Sequence, residues 1–452
     1  MTLLSAAQRQ IQAERARELI PGLQDRGVRQ LAITFVNHAG LPLVKAVPLA
    51  RLPRVAAEGV GFSPVADAFG ATGAIDPAQS LARPDGDLRL VPDLDSLALL
   101  DGEAGWGWLA ADRHQQNGEP YAADQRLFCR DRRQALEAAG LEIRIGGEIE
   151  WVLLGDDLPA GGPYGADRLL DGLDYLGALA AALDAADLPW LQLHPEYGPA
   201  QFELSLAAAG PLAAADRLVL ARLLIQRVSR RFGWRASFSP LVAADRVGNG
   251  GHVHLSLRRG GEPLLSGGAG VAGLTAEGEG LVAVLLESLP ALLALACPLV
   301  VSYRRLQPSH WAAPFQVWGV ENREAALRLI PGGPGEAAHL EFKIADAAAN
   351  PYLLLGALMA LAADDLARPR PLPAPLTGDP VGQGAPRLPS DLPAAITAFA
   401  AHPLLSRVMG PLLHRTVIEA REAEVRRCSG LSDGALIAST RLWPPSERQV
   451  EG

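Results

Sequence analysis

The chain has 452 residues, of which 49% are hydrophobic and 20% are charged, and its formal net charge at pH 7 is −9. This balance is typical of a folded globular protein and excludes a disordered chain. The acidic balance, with basic residues in runs no longer than pairs, excludes the basic footprint of a nucleic-acid-binding protein. The N-terminus lacks the apolar region of a signal peptide, and no run of 18 apolar residues follows, so we expect a cytoplasmic protein.

Residues 1–115 are predicted to form a small mixed β domain that begins with an amphipathic helix. Residues 30–38 and 43–49 are strand-like and flank Ala39–Gly40–Leu41–Pro42, which is a plausible hairpin turn. Residues 59–77 contain four glycines and show no clean period, so they are predicted to be a long loop. Long loops inside compact domains are often functional.

Residues 116–452 are predicted to form a second, larger domain in which helices and strands alternate. The segment LEIRIGGEIEWVLL, residues 141–154, is interpreted as a pair of strands, and residues 276–297 as a long apolar helix. Residues 368–389 are rich in proline and glycine and indicate a surface excursion. The remaining predicted helices cover 130–140, 171–186, 212–232, 391–400 and 403–428, and the remaining predicted strands 190–206, 235–242 and 252–258.

Acidic residues and histidines recur in the strand-like segments. Glu148 and Glu150 are two residues apart, so a strand would direct both carboxylates to one face. The same context surrounds Glu196, Glu203, His252, His254 and Glu341. Converging carboxylates repel one another unless cations neutralise them. Five glutamates and one imidazole therefore predict two hard divalent ions, Mg²⁺ or Mn²⁺, rather than a structural zinc site.

Arginines cluster in residues 301–333, at positions 304, 305, 323 and 328. Arginine binds carboxylate and phosphate oxygens with two parallel hydrogen bonds, which suits phosphate chemistry beside divalent ions. The chain has neither a Walker-type phosphate loop nor a dinucleotide-binding glycine motif, so a nucleotide would have to be held by metal ions and arginines.

Six segments together resemble the glutamine synthetase superfamily, in that family's order and roughly its spacing. They are GGEIEW, HPEYGPAQFEL, GNGGHVHLSL, SYRRL, ENREAALRLIP and LEFKIADAAANPYLLLGALM. The resemblance implies an α+β glutamine synthetase fold, with a β-grasp-like domain over residues 1–115 and a catalytic domain with a curved antiparallel sheet over residues 116–452. It also implies active sites at subunit interfaces, in a homo-oligomer that we expect to be a dodecamer of two stacked hexameric rings. The implied reaction is phosphorylation of the γ-carboxylate of glutamate by ATP, followed by displacement of phosphate by an amine.

The resemblance also implies roles for individual residues. Glu150, Glu196 and Glu203 match ligands of a first metal ion, and Glu148, His252 and Glu341 match ligands of a second. The substrate and phosphate roles fall on Arg305 for glutamate, Arg323 for the transferred phosphoryl group, Arg328, His339, His254 and Ser256 for the nucleotide, and Gly248, Gly250 and Lys343 for the amino-acid substrate.

Departures from the family pattern bear on the acceptor. Ser63 and Trp311 stand where ammonia-using members carry an aspartate and a glutamate, so both anionic walls of an ammonium site are absent. We therefore expect an organic amine as the acceptor, bound near Ser63 and Trp311, with Asp67 compensating as the catalytic base. His339 and Lys343 stand where the family usually has arginine, and Lys343 is one of only two lysines in the chain.

The sequence leaves several alternatives open. Ethanolamine, a monoamine and a polyamine are all possible acceptors. An ordinary glutamate–ammonia ligase is the nearest alternative, and a catalytically inactive assembly or regulatory protein is an alternative from a different class. A metal-dependent amidohydrolase is disfavoured, because it would need a histidine-rich metal site that nine histidines in these positions do not form.

Overall fold

The computed structural model describes residues 5–333, 337–365 and 370–445, which form two β-sheets with helices packed against them. Residues 368 and 369 of the predicted proline-rich excursion and the first four residues of the N-terminal prediction lie outside the described residues. The strands of the first sheet are β1 (Gln30–Val36), β2 (Pro42–Pro48), β3 (Val60–Phe62), β4 (Leu88–Pro92), β5 (Ala98–Asp101) and β6 (Trp106–His114).

The first sheet has the order β2-β1-β6-β4-β3, with β5 paired to β6. β1 and β2 pair antiparallel from Gln30 opposite Pro48, which confirms the predicted hairpin. Asn37 closes the turn, because its side-chain oxygen accepts hydrogen bonds from the backbone N–H groups of Ala39 and Leu41. The last strand of this sheet ends at His114, while the predicted domain boundary at residue 115 stays a prediction.

The second sheet has nine strands and the order β13-β14-β15-β11-β7-β9-β8, with β10 paired to β7 and β12 to β11. All its pairs are antiparallel except β13 with β14. Its strands are β7 (Leu141–Leu154), β8 (Trp190–Pro195), β9 (Gln201–Ala209), β10 (Arg235–Ser237), β11 (Val253–Arg259), β12 (Glu262–Pro263), β13 (Trp318–Val320), β14 (Leu327–Ile330) and β15 (His339–Phe342).

Strand β7 corrects one prediction, because residues 141–154 form a single strand of 14 residues rather than a pair. The two glycines at its middle, Gly146 and Gly147, stay extended, and only a local shift in the pairing with β9 marks them. A Cβ on Gly147 would come within 2.7 Å of the Leu218 side chain. The glycine therefore allows close packing of a helix on the strand instead of turning the chain.

Two other segments also differ from prediction. The expected strand 235–242 is only three residues long. The expected loop 59–77 contains β3 and a short 3₁₀ helix, Pro64–Ala68.

The helices of the second half cover one face of the large sheet and build most of the core. Across both halves of the chain, the α-helices of the described residues are α1 (Ala6–Asp25), α2 (Leu52–Glu58), α3 (Gln125–Ala138), α4 (Ala166–Asp171), α5 (Leu173–Ala185), α6 (Pro211–Arg231), α7 (Ala276–Ala296), α8 (Ser302–Arg305), α9 (Pro351–Asp365), α10 (Leu392–Ala401), α11 (Pro403–Cys428) and α12 (Asp433–Thr440). Helix α7 is long and apolar enough to cross a membrane by length and composition, but 78% of its most apolar window is buried. Its apolar composition is therefore explained by its position in the core.

Buried ion pairs connect the first sheet to the second half of the chain. Arg126, on α3, bonds to Asp93 and Asp112 from the first half and to Asp216 on α6, with N···O distances of 2.7–2.8 Å for its ion pairs. Three carboxylates around one buried guanidinium satisfy its donors, and removing either side would leave uncompensated buried charge.

Candidate active site

A cavity of about 550 Å³ lies against the second sheet, and the six residues predicted as metal ligands all line it. Strand register brings them together. Glu150 on β7 lies directly opposite Glu203 on β9, and His194 on β8 lies opposite the same Glu203. The backbone N–H of Glu148 donates to the carbonyl of His252 at 2.9 Å, which fixes the approach to β11.

Glu148, His252 and Glu341 form one cluster, in which one potential ligand atom from each lies within 4.8 Å of the others. His252 Nδ1 lies 2.9 Å from Glu148 Oε2 and 3.6 Å from Glu341 Oε1. Burial would raise the pKa of Glu148, but hydrogen bonds with His252 and His254 hold it well below its usual value. These three residues are the set predicted for the second metal ion.

The carboxylates predicted for the first ion occupy two overlapping clusters, Glu150–Glu203–His252 and His194–Glu196–Glu203. Burial raises the pKa of Glu150 to about 7, and the negative charge of Glu196 adds to the rise. Burial likewise raises the pKa of Glu203 to about 7. Crowded carboxylates that resist ionisation gain from a bound cation, so the residues present fit hard divalent ions.

His194 belongs to this site although the sequence prediction missed it. Its Nε2 lies 3.5 Å from Glu203 Oε1, and this contact raises the pKa of the imidazole to about 9. His194 and Glu196 are two residues apart around the end of β8, the same spacing as Glu148 and Glu150. That spacing is the signal that could have identified it.

Gln201 is a second functional candidate that sequence reasoning missed. Its amide nitrogen lies 3.0 Å from Glu150 Oε2, from the Gly248 carbonyl and from Asn249 Oδ1. This amide ties the glutamate of β7 to the loop that carries the two predicted glycines. A single glutamine in a strand carries no sequence signal for such a role.

Gly248 and Gly250 both line the cavity, as predicted, and side chains crowd them. A Cβ on Gly250 would lie 2.5 Å from His252 Nε2 and 2.8 Å from Glu150 Oε1. A Cβ on Gly248 would lie 2.6 Å from Arg305 Cγ. Any side chain at either position would therefore displace a cavity residue.

Basic side chains line the same cavity, and two of them pair with Glu341. Arg305 is 4% exposed and donates to the carbonyl of Ile344 at 2.9 Å. Arg328 is ion-paired with Glu321 and lies 3.3 Å from Glu341 Oε2. Lys343 Nζ lies 3.4 Å from Glu341 Oε1, and although burial opposes it, this positive charge keeps the pKa of Glu341 below its usual value. Arg323 and Trp311 complete this side of the cavity.

Five predicted residues lie outside the cavity lining: Ser63, Asp67, His254, Ser256 and His339. His254 remains close, since its Nε2 lies 3.1 Å from Glu148 Oε1 and its ring contacts that of His339 at 5.2 Å. Ser63 is half-buried at the start of the short 3₁₀ helix, where its hydroxyl accepts a hydrogen bond from the Val65 N–H. The predicted nucleotide roles of His254, Ser256 and His339 stay predictions.

The structure corrects the expectation that Asp67 is a catalytic base. Its side chain is fully buried, with Oδ2 2.6 Å from Arg113 Nη1 and Oδ1 3.2 Å from Gln125 Nε2. Arg113 also pairs with Asp124 at 2.7 Å. A carboxylate with both oxygens engaged and no exposed surface cannot take a proton from an incoming amine, so Asp67 is an anchor within the fold.

Comparison with known proteins places this arrangement among glutamine-synthetase-like chains. A sequence model of the glutamine synthetase catalytic domain matches residues 122–433. A gamma-glutamylpolyamine synthetase of Streptomyces coelicolor is 44% identical over 450 residues, which cover 95% of this chain and 97% of that protein. A glutamate–methylamine ligase of Methyloversatilis universalis is 26% identical, covering 86% and 91% of the two chains. A crystal structure described as a novel glutamine synthase homolog matches with a TM-score of 0.84 at 31% identity, covering 92% of this chain and 98% of its own.

Proposed function

Because the chain belongs to the glutamine synthetase superfamily and is an ATP-dependent ligase that joins glutamate to an amine, we propose that its acceptor is an aliphatic polyamine rather than ammonia. The observation that carries the proposal is the aromatic wall of the cavity. Trp311 and Tyr197 both line it, and their rings pack edge to face with 5.2 Å between the ring centroids. An aromatic wall suits the methylenes and the cationic head of an organic amine.

Different residues of the cavity would bind the metal ions, the glutamate and the phosphate groups of the ligase reaction. The two carboxylate clusters would hold divalent cations, Mg²⁺ or Mn²⁺, which neutralise charge as the phosphoryl group is transferred. Arg305 has more N–H donors than the two backbone carbonyls that it reaches, so donors remain to hold the glutamate carboxylate. Arg323 and Arg328 supply the positive charge that phosphate oxygens need.

Ammonia is disfavoured by the same geometry. An ammonium ion is small and strongly hydrated, so a site that removes its water has to replace that water with carboxylates. At the position where the sequence resemblance leads us to expect such a glutamate, the side chain is Trp311, which is 46% exposed. A methylene buried against the ring would contribute about 0.8 kcal/mol, which ammonia cannot gain.

A groove beside the cavity supports a long acceptor with more than one amine. Trp311 and Arg323 line both the cavity and a groove of about 690 Å³, in which Glu324 and Asp379 add negative charge. Glu324 Oε1 accepts a hydrogen bond from the Trp311 N–H at 2.9 Å, while its Oε2 is buried without a partner in the described part of the chain. A distal ammonium of a polyamine would supply that partner. The relative with 44% identity is named for polyamines, which supports the same acceptor class.

The test is phosphate release from ATP and glutamate with ammonia, methylamine, ethanolamine, 1,4-diaminobutane and spermidine, with mass spectrometry of the amide product. We expect kcat/KM to rise along this series toward the polyamines. Glu324→Gln should raise KM for spermidine and leave the rate with methylamine unchanged, and Glu142→Gln, exposed on β7, is the matched control. A preference for ammonia over every amine would contradict the proposal and favour an ordinary glutamate–ammonia ligase.

We also propose that the active enzyme is a homo-oligomer, with a dodecamer as the expected assembly. We further propose that it acts in the cytoplasm. Ser63 lies outside the cavity of its own chain. Its predicted contact with the acceptor would therefore require the first sheet of a second subunit. Mass photometry of the purified protein, together with activity at dilutions that dissociate it, tests this requirement; a fully active monomer would contradict it.

A further inference from the structure

A second cavity, of about 390 Å³, lies on the first sheet and shares no lining residue with the carboxylate cavity. It is lined by residues of α1, α2, β2, β3 and β4 and of the turn between β2 and α2. Four arginines, at positions 9, 51, 54 and 89, face one carboxylate, that of Glu58. In a chain with a net charge of −9, this concentration of positive charge runs against the overall balance.

One arginine of the cavity, Arg54, is ion-paired with the carboxylate that the cavity contains. Arg54 Nε lies 2.9 Å from Glu58 Oε2 on the next turn of α2. Within residues 5–333, 337–365 and 370–445, Arg51 and Arg89 have no carboxylate within ion-pair distance. Guanidinium groups that share a cavity without counter-charges repel one another, and an anion bound between them would remove that repulsion.

The backbone holds Arg89 at the cavity wall. β3 and β4 pair with Gly61 opposite Arg89, and a Cβ on Gly61 would lie 3.6 Å from Arg89 Nη1. A Cβ on Gly59, which has φ +70°, would lie 2.9 Å from Arg89 Cβ. The glycines of this segment therefore leave room for the arginine to lie across the strand.

A further cation, Lys45, lies on β2, the strand that contributes Val47 to the cavity. Lys45 and Val47 are two residues apart on that strand and so share a face, and Val47 lines the cavity. Lys45 Nζ lies 5.3 Å from the ring centroid of Phe62, on β3. This cation–π contact holds Lys45 against β3, outside the cavity lining.

We propose that this arginine cavity binds a small anion that carries two or more phosphate groups. The fork of a guanidinium matches phosphate oxygens, and several such forks in one cavity match several phosphates. None of the described residues that line the cavity is aromatic, so a nucleobase would have no ring to stack on. The cavity therefore recognises the phosphate chain and not a base. This inference does not depend on which amine the ligase uses.

The experiment is isothermal titration of pyrophosphate and triphosphate into the full chain, at low salt and in EDTA. EDTA removes the divalent ions that would help the carboxylate cavity to hold polyphosphate, and the double variants distinguish binding at the two cavities. We expect saturable binding that weakens as salt rises. Arg51→Gln with Arg89→Gln should weaken it at least tenfold, whereas Arg17→Gln with Arg407→Gln, two exposed arginines elsewhere, should not.

Further arms of the titration distinguish the source of the phosphate. The ATP binding that the Arg51/Arg89 variant loses should be no tighter than its triphosphate binding if only the phosphate chain is recognised, and tenfold tighter binding of ATP in that component would overturn this reading. Absence of pyrophosphate binding, or equal binding in both double variants, would overturn the site itself. If the Arg51/Arg89 variant loses its oligomeric state by mass photometry, the cavity is a subunit contact and the proposal is wrong.

Discussion

Glu150 and Glu203 are unfavourably placed as charged groups in the free protein, and we predict that the enzyme needs both. Both carboxyl groups are buried in a negative environment that raises the pKa of each to about 7. Without a cation, part of each population is therefore neutral near pH 7. Glutamine reproduces that neutral form in shape but cannot neutralise a bound cation.

We accordingly expect Glu150→Gln and Glu203→Gln each to lower kcat at least about 100-fold, or roughly 2.7 kcal/mol in transition-state stabilisation. The melting temperature of the metal-free protein should stay the same or rise, because a repelling charge is removed. The same assays on Glu142→Gln, exposed on β7, control for substitution on that strand. Near-normal turnover in either variant would refute the metal-site assignment.

Trp311 and Ser63 carry the acceptor prediction at the residue scale. The unmodified enzyme should favour its best organic amine over ammonia by at least about tenfold in kcat/KM, or roughly 1.4 kcal/mol. Ser63→Asp with Trp311→Glu restores the two anionic groups expected of an ammonium site and should narrow that ratio. Leu170→Glu, at a position that is 62% exposed on α4, controls for an added surface charge. An unchanged ratio in the double variant would remove these two residues from the acceptor site.

Individual side chains also show where sequence reasoning stops. The alternation of Glu148 with Glu150 correctly predicted that both carboxylates line the cavity, because strand periodicity is local. The same alternation of His252 with His254 did not, because only His252 lines the cavity. Asp67 was misjudged because a distance of four residues along the chain from Ser63 does not determine solvent access. Its burial depends on Arg113, which lies 46 residues away. Long-range ion pairs of this kind leave no local pattern.

At the scale of elements, the contact between the β1–β2 turn and α11 is sensitive to pH. His38 Nε2 lies 2.9 Å from Thr416 Oγ1, and its Nδ1 lies 2.5 Å from the Gln125 amide. Burial lowers the pKa of His38 from 6.5 to about 4. The unfolded chain therefore binds this proton more readily than the folded chain does between those two pH values.

The contribution of His38 to the free energy of unfolding is therefore complete above about pH 6.5 and is lost as pH falls toward 4. The loss amounts to roughly 3 kcal/mol, at about 1.4 kcal/mol for each unit of pKa. Urea denaturation across this range should show a shallower pH dependence for His38→Gln than for the wild type. His310→Gln, an exposed histidine, is the control. Parallel curves for wild type and His38→Gln would contradict the prediction.

Elements were predicted better than their boundaries and partners. The helices over 403–428 and the hairpin of β1 and β2 follow from periodicity and turn residues, which are properties of neighbouring positions. The continuity of β7 could not be predicted in this way. In the sequence, the pair Gly146 and Gly147 is equally compatible with a turn and with close packing of Leu218 on the strand. The order of the nine-stranded sheet depends on pairings between distant segments, which periodicity cannot specify.

At the scale of the whole molecule, cations should act as ligands that favour the folded state. Three clusters of carboxylates and histidines draw on β7, β8, β9, β15 and the residue just before β11, which come together only when the sheet is formed. Divalent ions that bind only the folded chain stabilise it by about 2.7 kcal/mol at 100 times their Kd.

We therefore expect millimolar Mg²⁺ or Mn²⁺ to raise the melting temperature in a concentration-dependent way, and EDTA to reverse the shift. Glu150→Gln should diminish the shift, and Glu142→Gln should leave it intact. Differential scanning fluorimetry measures all of these. No shift in the wild type at these concentrations would count against the converging ligands.

The buried Asp67–Arg113 ion pair has a consequence for how new acceptors could be acquired. It secures the segment after Ser63 from within, while Ser63 itself lies outside that pair and Trp311 is exposed on another loop. Neither acceptor position contributes to the core clusters that hold the chain folded. Substitutions at these two positions, which we propose as acceptor positions, therefore leave the ion pair and both core clusters intact. On that proposal, a lineage with this anchor can diversify its amines while the residues predicted for phosphoryl transfer stay the same.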